Sequence, residues 1–114
     1  MDDHAVERIA TNDATFRALN EQLSDAAAEL GINERVPFIC ECAEASCTTI
    51  VRLSLAEYAE IRSHPTHFLN APGHQVAAQG AARVIEERRE YVIVEKIGRA
   101  AEVVRDLDPC SEHR

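Results

Sequence analysis

Residues 40–47 read Cys40-Glu41-Cys42-Ala43-Glu44-Ala45-Ser46-Cys47, which places three thiols within eight positions in a C-x-C-x4-C pattern. Core packing does not explain this cluster, because isolated structural cysteines have no reason to lie together in sequence. In an intracellular protein, clustered cysteines favour metal binding or redox chemistry over structural disulfides. A disulfide between Cys40 and Cys42 would also close a very small, strained ring. The pattern therefore predicts that a metal ion organises this part of the fold.

Zinc is the metal that three closely spaced thiols favour, because thiolates are typical ligands of tetrahedral zinc. A regular strand would hold Cys40 and Cys42 about 6–7 Å apart, so the backbone must bend between them. A fourth ligand is needed to complete the tetrahedron, and we expect His74, because Pro72-Gly73 before it allows the backbone to approach a metal. The alternatives for the fourth position are His67, His64, Cys110 and water. Iron is the alternative metal.

The N-terminal part of the chain predicts one long helix. Residues 2–30 contain no Pro or Gly, and Gly31 follows them as a suitable helix end. A three-four spacing predicts a buried stripe made of Ile9, Asn12, Phe16, Leu19, Leu23, Ala26 and Leu30. We expect this stripe to cover the protein's own sheet. The alternative is a short coiled coil with a second copy of the chain or with a partner.

The remaining residues predict short strands and two shorter helices. Strands are expected at residues 36–40, 48–53, 82–87 and 91–97, the last two joined by a turn at residues 88–90. Ser54 to Glu57 form a capping box that begins a middle helix, which should end near His64-Pro65. Residues 99–107 predict a final helix, and residues 66–80 are expected to be irregular. The predicted class is α+β, with a small antiparallel sheet of about four short strands and a zinc-knuckle-like loop.

Length and charge limit the organisation and the partners of the chain. The 114 residues predict a single domain. It would comprise an N-terminal helix at residues 1–31, a zinc-stabilised α+β part at residues 32–109 and a tail at residues 110–114. A net charge of −8 argues against direct binding to nucleic acid or to anionic membranes. The sequence lacks a long apolar run and a signal peptide pattern, so we expect a cytoplasmic protein.

The chain resembles a family of small, largely uncharacterised bacterial proteins, mostly actinobacterial, which carry a C-x-C-x4-C cluster and a Pro-Gly-His loop. The matching segments are residues 20–21, 38–47, 55–58, 67–68, 72–74 and 91–96. The resemblance covers most of the chain and implies zinc binding through the cysteines, and its Pro-Gly-His loop agrees with His74 as the fourth ligand. It implies no particular activity.

These observations favour a protein-interaction or regulatory module with a structural Cys3His zinc site. Aromatic residues make up only 4% of the chain, so the core is light and a structural metal would offset this. The acidic N-terminal helix is the expected surface for a protein partner. One alternative is an enzyme with an open zinc site and His67, His74, Glu41 or Glu44 as acid or base, although no recognised catalytic motif accompanies it. The other is a thiol-based redox or metal sensor.

Overall fold

A computed structural model of the chain describes residues 3–42, 44, 46–75 and 80–108. These residues form the helices α1 (Asp3–Glu29), α2 (Leu55–Arg62) and α3 (Gly98–Asp106). Their strands are β1 (Val36–Ile39), β2 (Ile50–Leu53), β3 (His67–Asn70), β4 (Ala82–Glu87) and β5 (Val92–Lys96). The predicted α+β class and the long N-terminal helix are confirmed. The strands form two antiparallel sheets, β1-β2 and β3-β5-β4, in place of the single sheet that was expected.

The additional strand, β3, lies inside the segment that was expected to be irregular. It pairs antiparallel with β5, and Phe68 lies opposite Val94. Its four residues follow Pro65 and precede Pro72, so the strand is too short to show a periodic pattern. Pairing with β5, and not local propensity, therefore accounts for this element.

The end of α1 follows directly from Gly31, which has a φ of +70°. The amide of Gly31 donates to the carbonyl oxygen of Ala28 at 3.1 Å, and the amide of Ile32 donates to that of Ala27 at 3.0 Å. This pair of hydrogen bonds is a Schellman motif, which requires a left-handed residue at the position of Gly31. The predicted helix end is thus confirmed together with its physical reason.

The buried face of α1 differs from the predicted stripe. Of the predicted residues, Leu19 and Leu30 are 44% and 77% exposed, Ala26 is exposed, and the others are only partly buried. The residues of α1 that are buried are Val6, Ala10, Asp13, Ala14, Arg17, Asn20 and Ala27. The predicted stripe was wrong because this face includes three polar residues whose partners lie elsewhere in the chain, and apolar periodicity does not detect such residues.

Two of these polar residues, Asp13 and Arg17, form a charged cluster in the core. Asp13 makes an ion pair with Lys96 of β5, and both side chains are almost completely buried. The guanidinium of Arg17 lies 4.7 Å from the centroid of the Phe68 ring. Its two terminal nitrogens donate to backbone carbonyl oxygens of Pro65 and Val104 at 2.7 and 2.9 Å. The charged groups are therefore compensated, as burial of charge requires.

The three-stranded sheet separates two clusters of buried side chains. On one face, Phe68, Val92 and Val94 pack with residues of α1 and α3. On the other face, Leu69 and Ile93 pack in a cluster that also contains residues of α2, of the β1-β2 sheet and the three cysteines. The alternation along β3 and β5 agrees with the two-residue period of a strand. The cysteines therefore lie on the side of the sheet away from α3.

The short-range predictions for the middle and final elements are confirmed. The Ser54 hydroxyl accepts from the Glu57 amide at 3.1 Å, and the Glu57 carboxylate accepts from the Ser54 amide at 2.8 Å. The β4–β5 turn is closed by the Arg88 amide, which donates to the Tyr91 carbonyl oxygen at 2.8 Å. No helix within the described residues is long and apolar enough to cross a membrane. The predicted tail, residues 110–114, lies outside the described residues.

Candidate metal centre

The structure brings the four predicted ligands together. The ligand atoms of Cys40, Cys42, Cys47 and His74 all lie within 4.8 Å of one another. His74 Nδ1 lies 3.6 Å from Cys40 Sγ and 3.5 Å from Cys47 Sγ. In a tetrahedral zinc site, with bonds of about 2.3 Å to sulfur and about 2.0 Å to nitrogen, a sulfur ligand and a nitrogen ligand lie about 3.5 Å apart. The four donors could therefore bind a metal ion, and the distances from the imidazole nitrogen to two sulfurs match those of a tetrahedral zinc site.

The cysteines reach this position because the strands end where the cluster begins. β1 ends at Ile39, so Cys40 and Cys42 lie outside the regular strand, as the predicted bend requires. The amide of Cys40 donates to the carbonyl oxygen of Thr49 at 2.9 Å, which holds the two ends of the cysteine loop together. This contact brings Cys47 back beside Cys40.

The Pro72-Gly73 turn positions the imidazole. The amide of His74 donates to the carbonyl oxygen of Ala71 at 3.0 Å, and Gly73 has a φ of +87°, as the third position of a type II turn requires. The space around Gly73 is open, so the glycine is needed for its backbone conformation and not for close packing. The amide of Ala71 also donates to Cys40 Sγ at 3.1 Å. One turn therefore contributes both the imidazole and an N–H donor to the cluster.

Hydrogen bonds to sulfur favour thiolates in the cluster. The Ala71 amide donates to Cys40 Sγ, and the backbone N–H groups of Glu44 and Thr49 act to lower the pKa of Cys42 and Cys47. Burial nevertheless raises the pKa of Cys40 and Cys42. Burial also acts to raise the pKa of Cys47, but hydrogen bonds from the Thr49 N–H and hydroxyl outweigh it and lower this pKa to about 7. A cation among the sulfurs would supply the stabilisation that burial of the thiolates otherwise lacks.

Glu41, between the first two cysteines, is fully buried and does not lie free beside a reaction site. Its Oε2 accepts from Asn20 Nδ2 at 2.8 Å and from the Tyr58 hydroxyl at 2.5 Å. Its Oε1 accepts from the amide of Leu69 at 3.0 Å. The carboxyl thus connects the cysteine loop to α1, α2 and β3. With all of these contacts made inside the core, Glu41 holds the loop in place and is unsuited to acid or base catalysis.

Asn20 is a supporting residue whose role the apolar periodicity of α1 did not predict. Besides its bond to Glu41, its amide nitrogen donates to the carbonyl oxygen of Ile39 at 2.7 Å, and its side-chain oxygen accepts from the amide of Ile39 at 2.9 Å. Asn20 thereby provides hydrogen-bond partners for both the N–H and the C=O of Ile39 in β1. The sequence offered one signal for this role. Asn20 is a polar residue inside a predicted helix, and it lies in one of the segments that match the resembled family.

We expect Glu41→Ala to destabilise the zinc-loaded protein by about 3 kcal/mol, because three buried donors would lose their acceptor. Urea unfolding monitored by circular dichroism would measure this loss. Glu44→Ala is the matched control in the same loop, because Glu44 is exposed and its carboxylate accepts only from the Ser46 hydroxyl among the described residues, at 3.1 Å. The control should change stability by less than about 0.5 kcal/mol. Equal losses in the two variants would contradict the anchoring role of Glu41.

The alternative histidine ligands lie elsewhere. His67 Nε2 is 3.4 Å from Glu95 Oε2, and the His64 ring stacks on the His67 ring with centroids 4.2 Å apart. Neither belongs to the cluster of converging donors. Cys110 lies outside the described residues.

Comparison with known proteins adds no relative. No protein-family model matches the chain, and neither curated proteins nor solved structures contain a significant match. The family resemblance noted from the sequence stays a prediction. The functional proposal therefore rests on the geometry of the four donors.

Proposed function

We propose that this protein is a small zinc-binding module with a structural Cys3His site, and that it acts through binding to a protein partner. The observation that carries the proposal is the convergence of Cys40, Cys42, Cys47 and His74 within 4.8 Å. The distances from His74 Nδ1 to two of the sulfurs, 3.6 and 3.5 Å, support zinc in particular.

A closed set of ligands supports a structural role over a catalytic one. Catalytic zinc keeps one coordination position for water or substrate, whereas four protein ligands fill the tetrahedron. Cys40 and Cys42 are only 0% and 1% exposed. Four surface clefts of the described chain are all lined by other residues. Substrate would therefore find no free position on the metal, and none of these four clefts leads to it.

Zinc at this position would cross-link the two sheets. The three cysteines belong to the loop between β1 and β2, whereas His74 follows β3 of the other sheet. These two sheets are otherwise connected here by backbone contacts such as the Glu41 amide, which donates to the Leu69 carbonyl oxygen at 2.7 Å. A light core gains most from such a link.

The acidic surface of α1 is smaller than its sequence suggested. Three of its carboxylates make ion pairs with other elements of the chain: Glu7 with Arg99, Asp13 with Lys96, and Glu21 with Arg62. Asp25 and Glu29 are exposed and have no ion pair among the described residues. The expectation that α1 presents the partner surface stays a prediction, and it depends on these remaining charges.

Metal analysis of ligand variants tests the proposal. Mass spectrometry of tag-free protein should find one zinc per chain, and Cys42→Ser and His74→Ala should each lose most of it, because three ligands bind zinc far less tightly than four. His67→Ala is the matched control and should keep one zinc, because His67 is not among the converging donors. Iron with a visible absorption band, no metal, or loss of zinc in the control would overturn the proposed site.

A further inference from the structure

A second feature of the surface is a cleft of about 120 Å³ between α2 and the β4–β5 hairpin. Tyr91 and Ile93 line it from the sheet, on the face opposite α3. Glu57 and Glu60 line it from α2, and Glu86 lines it from β4. This cleft contains none of the four converging donors, so it is separate from the candidate metal centre.

The charge of the cleft favours a cation. Its lining includes three carboxylates, Glu57, Glu60 and Glu86, and one guanidinium, Arg88, which leaves a net charge of −2 if the histidines are neutral. Burial lowers the pKa of His67, with a contribution from the nearby His64, so the His67 ring does not oppose a bound cation near neutral pH. Glu60 makes no ion pair with any described residue and acts on Arg88 only at longer range, so its carboxylate oxygens can still bind a ligand.

Tyr91 provides an unused polar group in the cleft. The residue is 4% exposed, and its hydroxyl makes no hydrogen bond with the described residues. The ring is buried, whereas the hydroxyl oxygen is open to solvent. Because Tyr91 lines the cleft, a ligand there could make a hydrogen bond with the hydroxyl while lying against the aromatic ring.

The chain already places one guanidinium at this cleft. The Arg88 guanidinium carbon lies 5.8 Å from the centroid of the Tyr91 ring, and Arg88 makes an ion pair with Glu86. Guanidinium groups combine such stacking on aromatic rings with paired hydrogen bonds to carboxylates, which ammonium groups do less well. The contacts of Arg88 show that the chemistry of the cleft suits a guanidinium.

The size of the cleft limits the occupant to one side chain. Sites for small organic ligands enclose about 300–1,000 Å³, well above the about 120 Å³ found here. A space of this size suits one guanidinium with part of its alkyl chain.

We propose that this cleft binds an arginine side chain of a basic segment on a partner protein. The Glu60 carboxylate and the Tyr91 hydroxyl receive the guanidinium, and Ile93 contacts its methylene groups. The inference rests on the proposed interaction role, but it requires nothing of the metal beyond a folded chain. It also gives the interaction module a binding surface away from α1.

Nuclear magnetic resonance titration of the zinc-loaded, ¹⁵N-labelled chain tests this inference, with arginine blocked at both ends as the probe. We expect saturable shifts centred on the amides of Glu60, Tyr91 and Ile93, with a dissociation constant of about 1–10 mM for so small a contact. Blocked citrulline has nearly the same shape without the charge, and it should cause little change. Added salt should weaken the arginine shifts, because the attraction is electrostatic.

Three variants locate the binding. Glu60→Gln should weaken arginine binding about three- to fivefold, and Tyr91→Phe, which removes only the hydroxyl, about threefold. Glu29→Gln removes an exposed carboxylate of α1 and should leave binding unchanged. Equal shifts with citrulline, shifts spread over the acidic surface, no saturable shift, or equal weakening in Glu29→Gln would overturn the inference.

The zinc content and circular dichroism of the same samples separate this inference from the proposed metal site. If the chain is folded with one zinc and does not bind arginine at the cleft, only the arginine site is wrong. If arginine binds at the cleft of a folded chain that contains no zinc, the metal proposal is wrong and the arginine site stands.

Discussion

Removal of zinc should unfold the protein at room temperature. In zinc-finger peptides a structural zinc contributes about 10–16 kcal/mol near pH 7, while whole domains are stable by only about 5–15 kcal/mol. In this chain the ion would hold the cysteine loop at residues 40–47 against the turn that carries His74, and so would join two sheets. Circular dichroism before and after incubation with a strong chelator would show the loss of structure, and added zinc should restore it.

The controls for chelation are chosen to isolate the ion. Magnesium should not restore structure, because thiolate ligands bind it poorly. Cys42→Ser should behave like the chelated protein, because it removes a ligand that is 1% exposed. If complete removal of zinc, verified by metal analysis, lowers the melting temperature by less than about 5 °C, an effect of about 1 kcal/mol, the metal is not structural.

The second large effect is expected from the buried ion pair between Asp13 and Lys96. Lys96→Met should destabilise the protein by about 3–5 kcal/mol, because it leaves the Asp13 carboxylate in the core without its counter-charge. Urea unfolding at pH 7.5 would measure the loss. The control is Arg83→Met, which breaks the ion pair of Arg83 with Glu95 on the same sheet, where the Arg83 side chain is 68% exposed. This control should cost at most about 1 kcal/mol.

A double variant and a pH series distinguish loss of the ion pair from loss of packing. Asp13→Asn combined with Lys96→Met should recover part of the stability, because no charge is left alone in the core.

Burial raises the pKa of Asp13 to about 6 even beside Lys96, above the unfolded value, so the protonated carboxyl favours the folded state. The stability that this protonation contributes is lost as the pH rises through 6. The deficit of Lys96→Met should therefore shrink as the pH is lowered from 7.5 towards 5, and a deficit independent of pH would contradict the role of the charge.

Local signals in the sequence were sufficient for much of this fold. Gly31 ended α1, the Ser54–Glu57 box began α2, and the cysteine spacing with Pro72-Gly73 correctly brought His74 to the cluster. The two helix boundaries and the turn at Pro72-Gly73 could be predicted because each depends on backbone geometry within a few residues. For the identity of the ion, the cysteine spacing favours zinc, because thiolates are typical ligands of this metal.

Long-range polar pairing is what the sequence could not reveal. Asp13, Arg17 and Asn20 are as polar as surface residues, and only their partners in the fold make their burial favourable. These partners are Lys96 for Asp13, the Pro65 and Val104 carbonyl oxygens for Arg17, and Glu41 and Ile39 for Asn20. For the same reason Glu41 was considered a candidate acid or base, whereas its carboxyl is occupied by three donors. Where a hydrogen-bond partner lies tens of residues away, periodicity assigns the polar residue to solvent.

The polar face of α1 also has a consequence for the order of events during synthesis. Arg17 donates to Val104, 87 positions later in the chain. Asp13 makes its ion pair with Lys96, which is also synthesised much later. When α1 leaves the ribosome, the partners of Asp13 and Arg17 have therefore not yet been synthesised. Packing of α1 at that stage would bury both charged side chains without their ion pair or hydrogen bonds. The three cysteines and His74 are all synthesised within a shorter stretch of chain, since His74 follows Cys47 by only 27 positions. A nascent chain would thus be able to bring its four converging donors together before the charged groups of α1 have their partners.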